Sequence, residues 1–281
     1  MFDKISIIYN VHIDGAKELA QEVLQEIEKY QKTVVLQQLL PEKTTKTEDF
    51  VKDIDLGIVI GGDGTLISLA RFYALYDVPV IGINLGRLGF LAQINKKEIK
   101  TAIEALFSGA FSTKERLMLQ CSDRQNNFSY NALNDVVIKG GGLSRTEKLY
   151  LYINGELVTD YLADGLIIST PTGSTAYTLS AGGPIVHPSL DVMTIVPICP
   201  HCFGSRALVV PPDEKIEVKL GGDMFLTADG QKNIRLKKNQ VIQVIKNPKK
   251  AKMLFIHEAN KTFYTILKEK FNWGVKSNNY A

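Results

Sequence analysis

The sequence predicts an α/β chain whose first part is a parallel sheet covered on both faces and whose second part is rich in β-structure. Three observations predict it. Up to about residue 112, apolar runs of strand length alternate with amphipathic helix patterns. One such run, Leu56 to Ile60, stops at Gly61-Gly62-Asp63-Gly64-Thr65, and a helical pattern starts at Leu66. Beyond residue 112, short segments of alternating polarity take over.

The elements follow in order. Ile5 to Tyr9 reads as a buried strand. Ala16, Leu19, Ala20, Val23, Leu24, Ile27 and Tyr30 fall at three- and four-residue steps, a helix with Asp14 as its expected cap. Thr33 to Leu36 reads as a strand, and the polar residues 41–49 as an exposed loop. Pro79 to Asn84 is a further strand, and Lys96 to Phe107 a helix with Ile99, Ile103, Leu106 and Phe107 on one side. This alternation makes residues 1–112 a Rossmann-like α/β domain. In residues 113–257, Leu149, Leu151 and Ile153 alternate with Tyr150 and Tyr152, and Asn154-Gly155 signals a hairpin turn. Ile216, Val218 and Leu220 alternate with charged neighbours, a strand expected to bury one side. Ile234 and Leu236 repeat the pattern, and Val241 to Ile245 is strand-like. The tail, residues 258–281, returns to helical spacing with Phe263, Ile266, Leu267 and Phe271.

Bulk properties narrow the function. A chain of 281 residues suggests two domains. Its net charge of +3 is too small to argue for a nucleic-acid surface, so no nucleic-acid partner is expected. No apolar stretch approaches the length of a membrane span and the N-terminus carries no signal peptide, so no membrane partner is expected either. Three cysteines are an odd, sparse set that suits a reducing cytoplasm.

The glycine-acid stretch carries the first chemistry. Gly61, Gly62 and Gly64 let an anionic ligand approach the backbone, and the helix opening just behind them adds a favourable field for phosphate. A loop built only to hold phosphate would not carry a carboxylate there. Asp63 therefore reads as a group that orients a hydroxyl and accepts its proton. The same residues also read as a plain turn. Residues 160–188 are the second constellation: a short apolar strand runs into a loop of hydroxyls and glycines that offers donors to ribose and phosphate oxygens. Asp164 suits ribose hydroxyls, and Tyr177 suits stacking on a base or nicotinamide ring. A turn region with Tyr177 in the core is the equal alternative. Ser174 has no hydrolase elbow around it. Asn134 can donate and accept at once and Asp135 can take ribose hydroxyls, against a strand-edge turn as the other reading.

These residues together resemble the motif set of the bacterial NAD kinases, in the same order and at similar spacing. The resemblance rests on Gly61 to Thr65, Asn84-Leu85-Gly86-Arg87-Leu88-Gly89-Phe90-Leu91, Asn134-Asp135 and Asp164 to Pro188. It runs from about Ile5 to the Asp229-Gly230-Gln231 turn. It implies an N-terminal α/β domain, a β-sandwich-like C-terminal domain with ligand between the two, and a C-terminal segment packed back on the first domain. It implies that Asp63 accepts the proton of the adenosine 2′-hydroxyl of NAD, with Gly64 beside it. Asn134 and Asp135 are then the dinucleotide-binding pair. Arg145, Asp164, Thr175, Ala176, Tyr177, Thr178, Leu179, Ser180 and Gln231 are further binding positions. ATP is the implied phosphoryl donor, Mg²⁺ or another divalent cation the implied cofactor, and NADP the product; no protein metal ligand is assigned. A cytoplasmic homodimer or homotetramer is implied. Leu162 stands where the family often has a basic residue, and Lys139 or Lys148 could compensate.

Other features read as structural. Cys199-Pro200-His201-Cys202 has no second pair to make a metal site, His187 reads as a structural histidine, and Lys246, Lys249, Lys250 and Lys252 read as a solvated turn. A lipid or sugar kinase shares the glycine-acid loop, but no acyl channel or membrane-facing surface is legible. A non-catalytic nucleotide-sensing module would be expected to lack the acid, and Asp63 is present.

Overall fold

The computed structural model describes residues 2–39, 53–86, 89–92, 94–124, 127–141, 146–202, 204–257 and 261–273. The polar segment 41–49 and Arg145 lie outside these residues. The chain forms two compact units, Met1–Lys114 with Lys252–Ala281, and Glu115–Ala251.

The first unit opens with β1 (Lys4–Asn10), α1 (Ala16–Glu28), β2 (Thr33–Leu39), β3 (Leu56–Ile60), α2 (Asp63–Leu75) and β4 (Val80–Asn84). The two-residue β5 (Ile94–Asn95), α3 (Ile99–Ser108) and β6 (Phe111–Arg116) follow. Pairing of β1 with β2 and β3, and of β3 with β4, is parallel. All five residues of β3 are buried, as expected for a strand covered on both faces. Ile5, Ile7, Ile58 and Ile60 share one core with Leu19, Val23 and Ile27 of α1 and Ile103 and Leu106 of α3. Asp14 does not cap α1. Gly15, at φ 78, takes that position, and no side chain bonds there.

The second unit comprises β7 (Leu119–Asp123), β8 (Ser129–Ala132), β9 (Asp135–Gly140), β10 (Glu147–Ile153), β11 (Glu156–Ala163) and β12 (Gly165–Ser169). After the short α4 (Tyr177–Ser180) come β13 (Met193–Ile198), β14 (Leu208–Val210), β15 (Ile216–Leu220), β16 (Met224–Ala228), β17 (Lys232–Leu236) and β18 (Val241–Lys246). Among the described residues they form two six-stranded sheets, β11-β10-β15-β18-β7-β8 and β14-β13-β12-β9-β16-β17. Leu149, Leu151, Val218 and Val244 of the first face Val136, Ile138, Leu166 and Ile168 of the second across one core, a sandwich. The expected turn is there: Asn154 (φ 52) and Gly155 (φ 85) both adopt positive φ, as a two-residue hairpin turn requires. β15 departs from the expected one-sided burial, because Glu217 is also buried, with Lys215 3.3 Å and Arg124 3.7 Å from its carboxylate.

The chain then returns to the first unit. β19 (Ala251–Ile256) pairs in parallel with β4, and α5 (Phe263–Phe271) follows. Ala251–Ile256, read from the sequence as part of the β-rich segment, therefore joins the sheet of the first unit. The lysine cluster around Pro248 is not simply solvated. Lys246 pairs with Asp213, Lys250 with Asp191 and Glu115, and Lys252 with Asp77.

Candidate active site

In the first unit, β3 ends at Ile60 and α2 begins at Asp63, so the glycine pair forms the turn between them. The three glycines differ. A Cβ on Gly61 would meet Thr65 at 2.9 Å, so Gly61 serves the packing of its own loop. A Cβ on Gly62 or Gly64 would have nothing within 4 Å, so open space lies above both. Gly62 caps α2 with no side-chain bond, which leaves the helix N-terminus suited to an anion. Asn10 donates to the Thr65 hydroxyl at 3.1 Å and ties the end of β1 to this loop.

Asp63 is held from the loop that follows β4. Its Oδ2 accepts the Phe90 N–H at 2.7 Å, and its Oδ1 accepts those of Leu91 and Ala92 at 3.2 and 3.0 Å. Gly89 leaves room for this: a Cβ there would collide with Oδ1. A carboxylate offers about four lone-pair sites, so three N–H bonds leave one for a further donor.

In the second unit, a cavity of about 230 Å³ is lined by Asn134, Asp135, Val137, Ala176, Tyr177, Thr227, Asp229 and Gly230. Asn134 and Asp135 stand at the start of β9. Tyr177 is 42% exposed, in keeping with a ring that a flat ligand can cover. The Asn134 Oδ1 is buried without a hydrogen-bond partner, an acceptor that a ligand amino group would satisfy. Asp135 is buried, and burial together with the neighbouring Asp229 pushes its carboxyl up to about 7.

Asp229 carries no role in the sequence reading beyond its turn. Its carboxylate accepts the N–H groups of Leu133 at 2.9 Å, Asn134 at 2.7 Å and Asp135 at 3.1 Å. It does so from positive φ, at 50°, beside Gly230 at 67°. The Asp-Gly pair is the signal that could have been followed.

Three hydroxyls just ahead of the expected binding run are consumed within the protein. Thr170 Oγ1 donates to the Leu133 carbonyl at 2.6 Å, Ser169 Oγ lies 3.2 Å from the Asn134 carbonyl, and Ser174 Oγ lies 2.7 Å from the Pro171 carbonyl. These three hydroxyls fasten residues 169–174 to the head of β9 and to themselves rather than facing a ligand. Gly173 presses against the same place, for a Cβ on it would collide with the Asn134 carbonyl. Thr178 is fully buried. Asp164 sits between β11 and β12, where its N–H donates to Ile198. Thr175, Leu179, Ser180 and Gln231 are near the cavity in sequence but do not line it. Lys148 lies opposite Leu162 in the β10–β11 ladder and pairs with Asp160 at 3.8 Å.

Comparison with known proteins shows the family. Residues 5–111 match the family model of the ATP-NAD kinase N-terminal domain, and residues 133–256 that of the ATP-NAD kinase C-terminal domain. The chain belongs to the NAD kinase family. NAD kinase of Thermoanaerobacter sp. (strain X514) is 34% identical over 279 residues, covering 95% of this chain and 98% of its own. That of Geobacter metallireducens is 37% identical over 283 residues, covering 97% and 99%. The crystal structure of yeast NADH kinase complexed with NADH superposes with a TM-score of 0.83 at 25% identity, over 99% of this chain and 89% of that one. An NAD kinase from Archaeoglobus fulgidus in complex with ATP shares the fold, with a TM-score of 0.77 at 24% identity, over 96% and 100%. Both units thus lie within one family, and the glycine-acid turn and the Asn134-Asp135 pair each fall in a stretch matched to its models or relatives.

Proposed function

We infer that this chain is an ATP-dependent NAD kinase: it transfers the terminal phosphoryl group of ATP to the 2′-hydroxyl of the adenosine ribose of NAD, giving NADP and ADP. Curated NAD kinases align along nearly its whole length. The geometric observation that carries the reading is Asp63, fixed by three N–H bonds at a helix N-terminus that no side chain caps, with open space over Gly62 and Gly64.

Phosphoryl transfer needs positioning and charge stabilisation more than covalent work. The donor phosphates lie against Gly62, Gly64 and the first N–H groups of α2. The ribose 2′-oxygen attacks the terminal phosphorus, the bond to ADP breaks, and the hydroxyl proton passes to Asp63. The remaining lone-pair site of Asp63 orients that hydroxyl. Asp135 accepts ribose hydroxyls, Asn134 Oδ1 accepts an amino group, and Tyr177 stacks on a ring. Asp164, Arg145, Thr175, Ala176, Thr178 to Ser180 and Gln231 are carried as binding positions by the motif resemblance.

Mg²⁺ is characteristically held by one or two carboxylates plus substrate phosphates. The last lone-pair site of Asp63 is taken by the acceptor hydroxyl, so a divalent cation here would be held chiefly by oxygens of the triphosphate itself, with the Asp63 charge nearby. Carried in on those phosphates, it would neutralise charge developing on the phosphoryl oxygens.

A homo-oligomeric, cytoplasmic enzyme fits two further observations. The edge strands β11 and β14 expose Leu157, Val158, Leu162 and Val209, apolar side chains suited to a second copy. Among the described residues no helix is long and apolar enough to cross a membrane. The test is a coupled assay with NAD or NADH, ATP or polyphosphate, and Mg²⁺. NADP formation that requires both donor and cation is expected; no NADP, with diacylglycerol or a sphingoid base phosphorylated instead, overturns the reading.

A further inference from the structure

The loop that grips Asp63 is itself gripped from elsewhere. Phe90 supplies the shortest of the three bonds to the carboxylate through its N–H. Its ring lies 6.3 Å from that of Phe263 and 6.3 Å from that of Phe271, and Lys270 Nζ stands 5.2 Å from its centre. All three partners belong to α5. Residues at i, i+7 and i+8 share one helix face, so α5 meets Phe90 with a continuous stripe. The helix is anchored on its own account. Ile266 and Leu267 are buried, and the Thr262 side chain caps its start by accepting the Thr265 N–H at 3.1 Å.

We propose that α5 is a positioning element for the catalytic carboxylate, acting through Phe90. The chain of contact is short: α5 aromatics to the Phe90 ring, the Phe90 backbone to Oδ2, and the carboxylate to the acceptor hydroxyl. A loop between two strands has no ladder of its own to fix it, and Phe90 is held by ring contacts instead. Small displacements of an orienting group cost rate far more than they cost binding. Loosening α5 therefore lowers kcat while the nucleotide-binding residues of the second unit remain as they are. The inference rests on the reading of Asp63 as the group that orients the hydroxyl.

The experiment compares wild type with Phe271→Ala, Phe263→Ala, Lys270→Met, Phe271→Tyr and Asp63→Asn in the full chain. Expected are a kcat about tenfold lower for each alanine variant, KM for NAD and ATP within about twofold of wild type, and recovery of kcat in Phe271→Tyr, which keeps the ring. In the Asp63→Asn background, Phe271→Ala is expected to add little, because its effect passes through the same carboxylate. Unchanged kcat in both alanine variants overturns the proposal. So does a loss that matches a fall in Tm or a parallel rise in KM, or one that multiplies fully with Asp63→Asn. If an alanine variant fails to fold, Lys270→Met, which removes only the charge over the ring, carries the test: a kcat lower than wild type with KM intact supports the proposal, and no change overturns it. Near-normal turnover by Asp63→Asn would instead sink the reading of the site itself, whatever the α5 variants do.

Discussion

The Asp63 carboxylate accepts the Phe90 N–H at 2.7 Å, across 27 positions of sequence. One turn of the chain thus positions the acid of another, and Gly89 sits in the gap where a side chain would push them apart. Replacing the acid by its amide keeps the volume and puts a donor against N–H donors. Asp63→Asn is expected to lose about 10²–10⁴ in turnover, with NAD affinity within a few-fold of wild type. Steady-state kinetics with calorimetric NAD binding checks both halves. Gly89→Ala is expected to cost about 1–3 kcal/mol of stability and to lower turnover as well, read by thermal unfolding and the same assay.

Gly64 separates fold from ligand. A Cβ there meets nothing in the protein, and the position lies within the first turn of α2. Gly64→Ala is expected to stabilise the chain by about 0.5–1 kcal/mol, since alanine loses less entropy than glycine on entering a helix. If phosphate lies against this backbone, the same methyl lowers turnover and raises KM for ATP. A higher Tm with unchanged kinetics would move the phosphates elsewhere.

Asp135 sets a pH dependence near neutrality. Its carboxyl is raised from 3.8 to about 7, first by burial and then by Asp229. Between those values the folded state binds more protons than the unfolded one. This acid's contribution to stability is therefore greatest at low pH, is lost as pH rises from 3.8 to about 7, and is level above that. Ribose hydroxyls donating to the ionised form would lower the pKa in the complex. NAD affinity is then expected to rise with pH up to about 7 and to level off, with proton release on binding. Calorimetry at pH 6 in buffers of different ionisation enthalpy reads that proton. Asp135→Asn should abolish it.

Asp229 holds Asn134 and Asp135 from behind. Asp229→Ala strips the acceptor from Leu133, Asn134 and Asp135, and buried N–H groups without partners cost about 1–3 kcal/mol each. Lower stability and a higher KM for NAD are expected, from urea unfolding and initial rates. A variant with normal KM would show that the head of β9 keeps its shape without this carboxylate.

Much of the fold is legible in local pattern. The alternation of apolar runs and amphipathic stretches names the parallel sheet, because each period records which face an element buries. Asn154-Gly155 names its own hairpin, because few other residue pairs accept two positive φ values. The C-terminal segment was harder. β19 joins the parallel sheet after an excursion of more than a hundred residues, and no local period carries pairing across that distance. Asp14 resembles a cap, yet the chain turns at Gly15, where positive φ closes the helix start without a side chain.

The site divides in the same way. The residue types proposed for the chemistry were in the sequence: an acid among glycines, an amide beside an acid, a run of small residues before Tyr177. Taken one at a time each motif also reads as a turn; only the whole set, in order, resembles the family. Which hydroxyls are consumed internally, which glycine serves a neighbour instead of a ligand, that Asp229 stands behind Asn134 and Asp135, and that Phe90 carries the grip of α5 to Asp63 were decided only by the tertiary structure. Each depends on a contact between segments distant along the chain, and a linear sequence holds local preference but not the distances that folding closes.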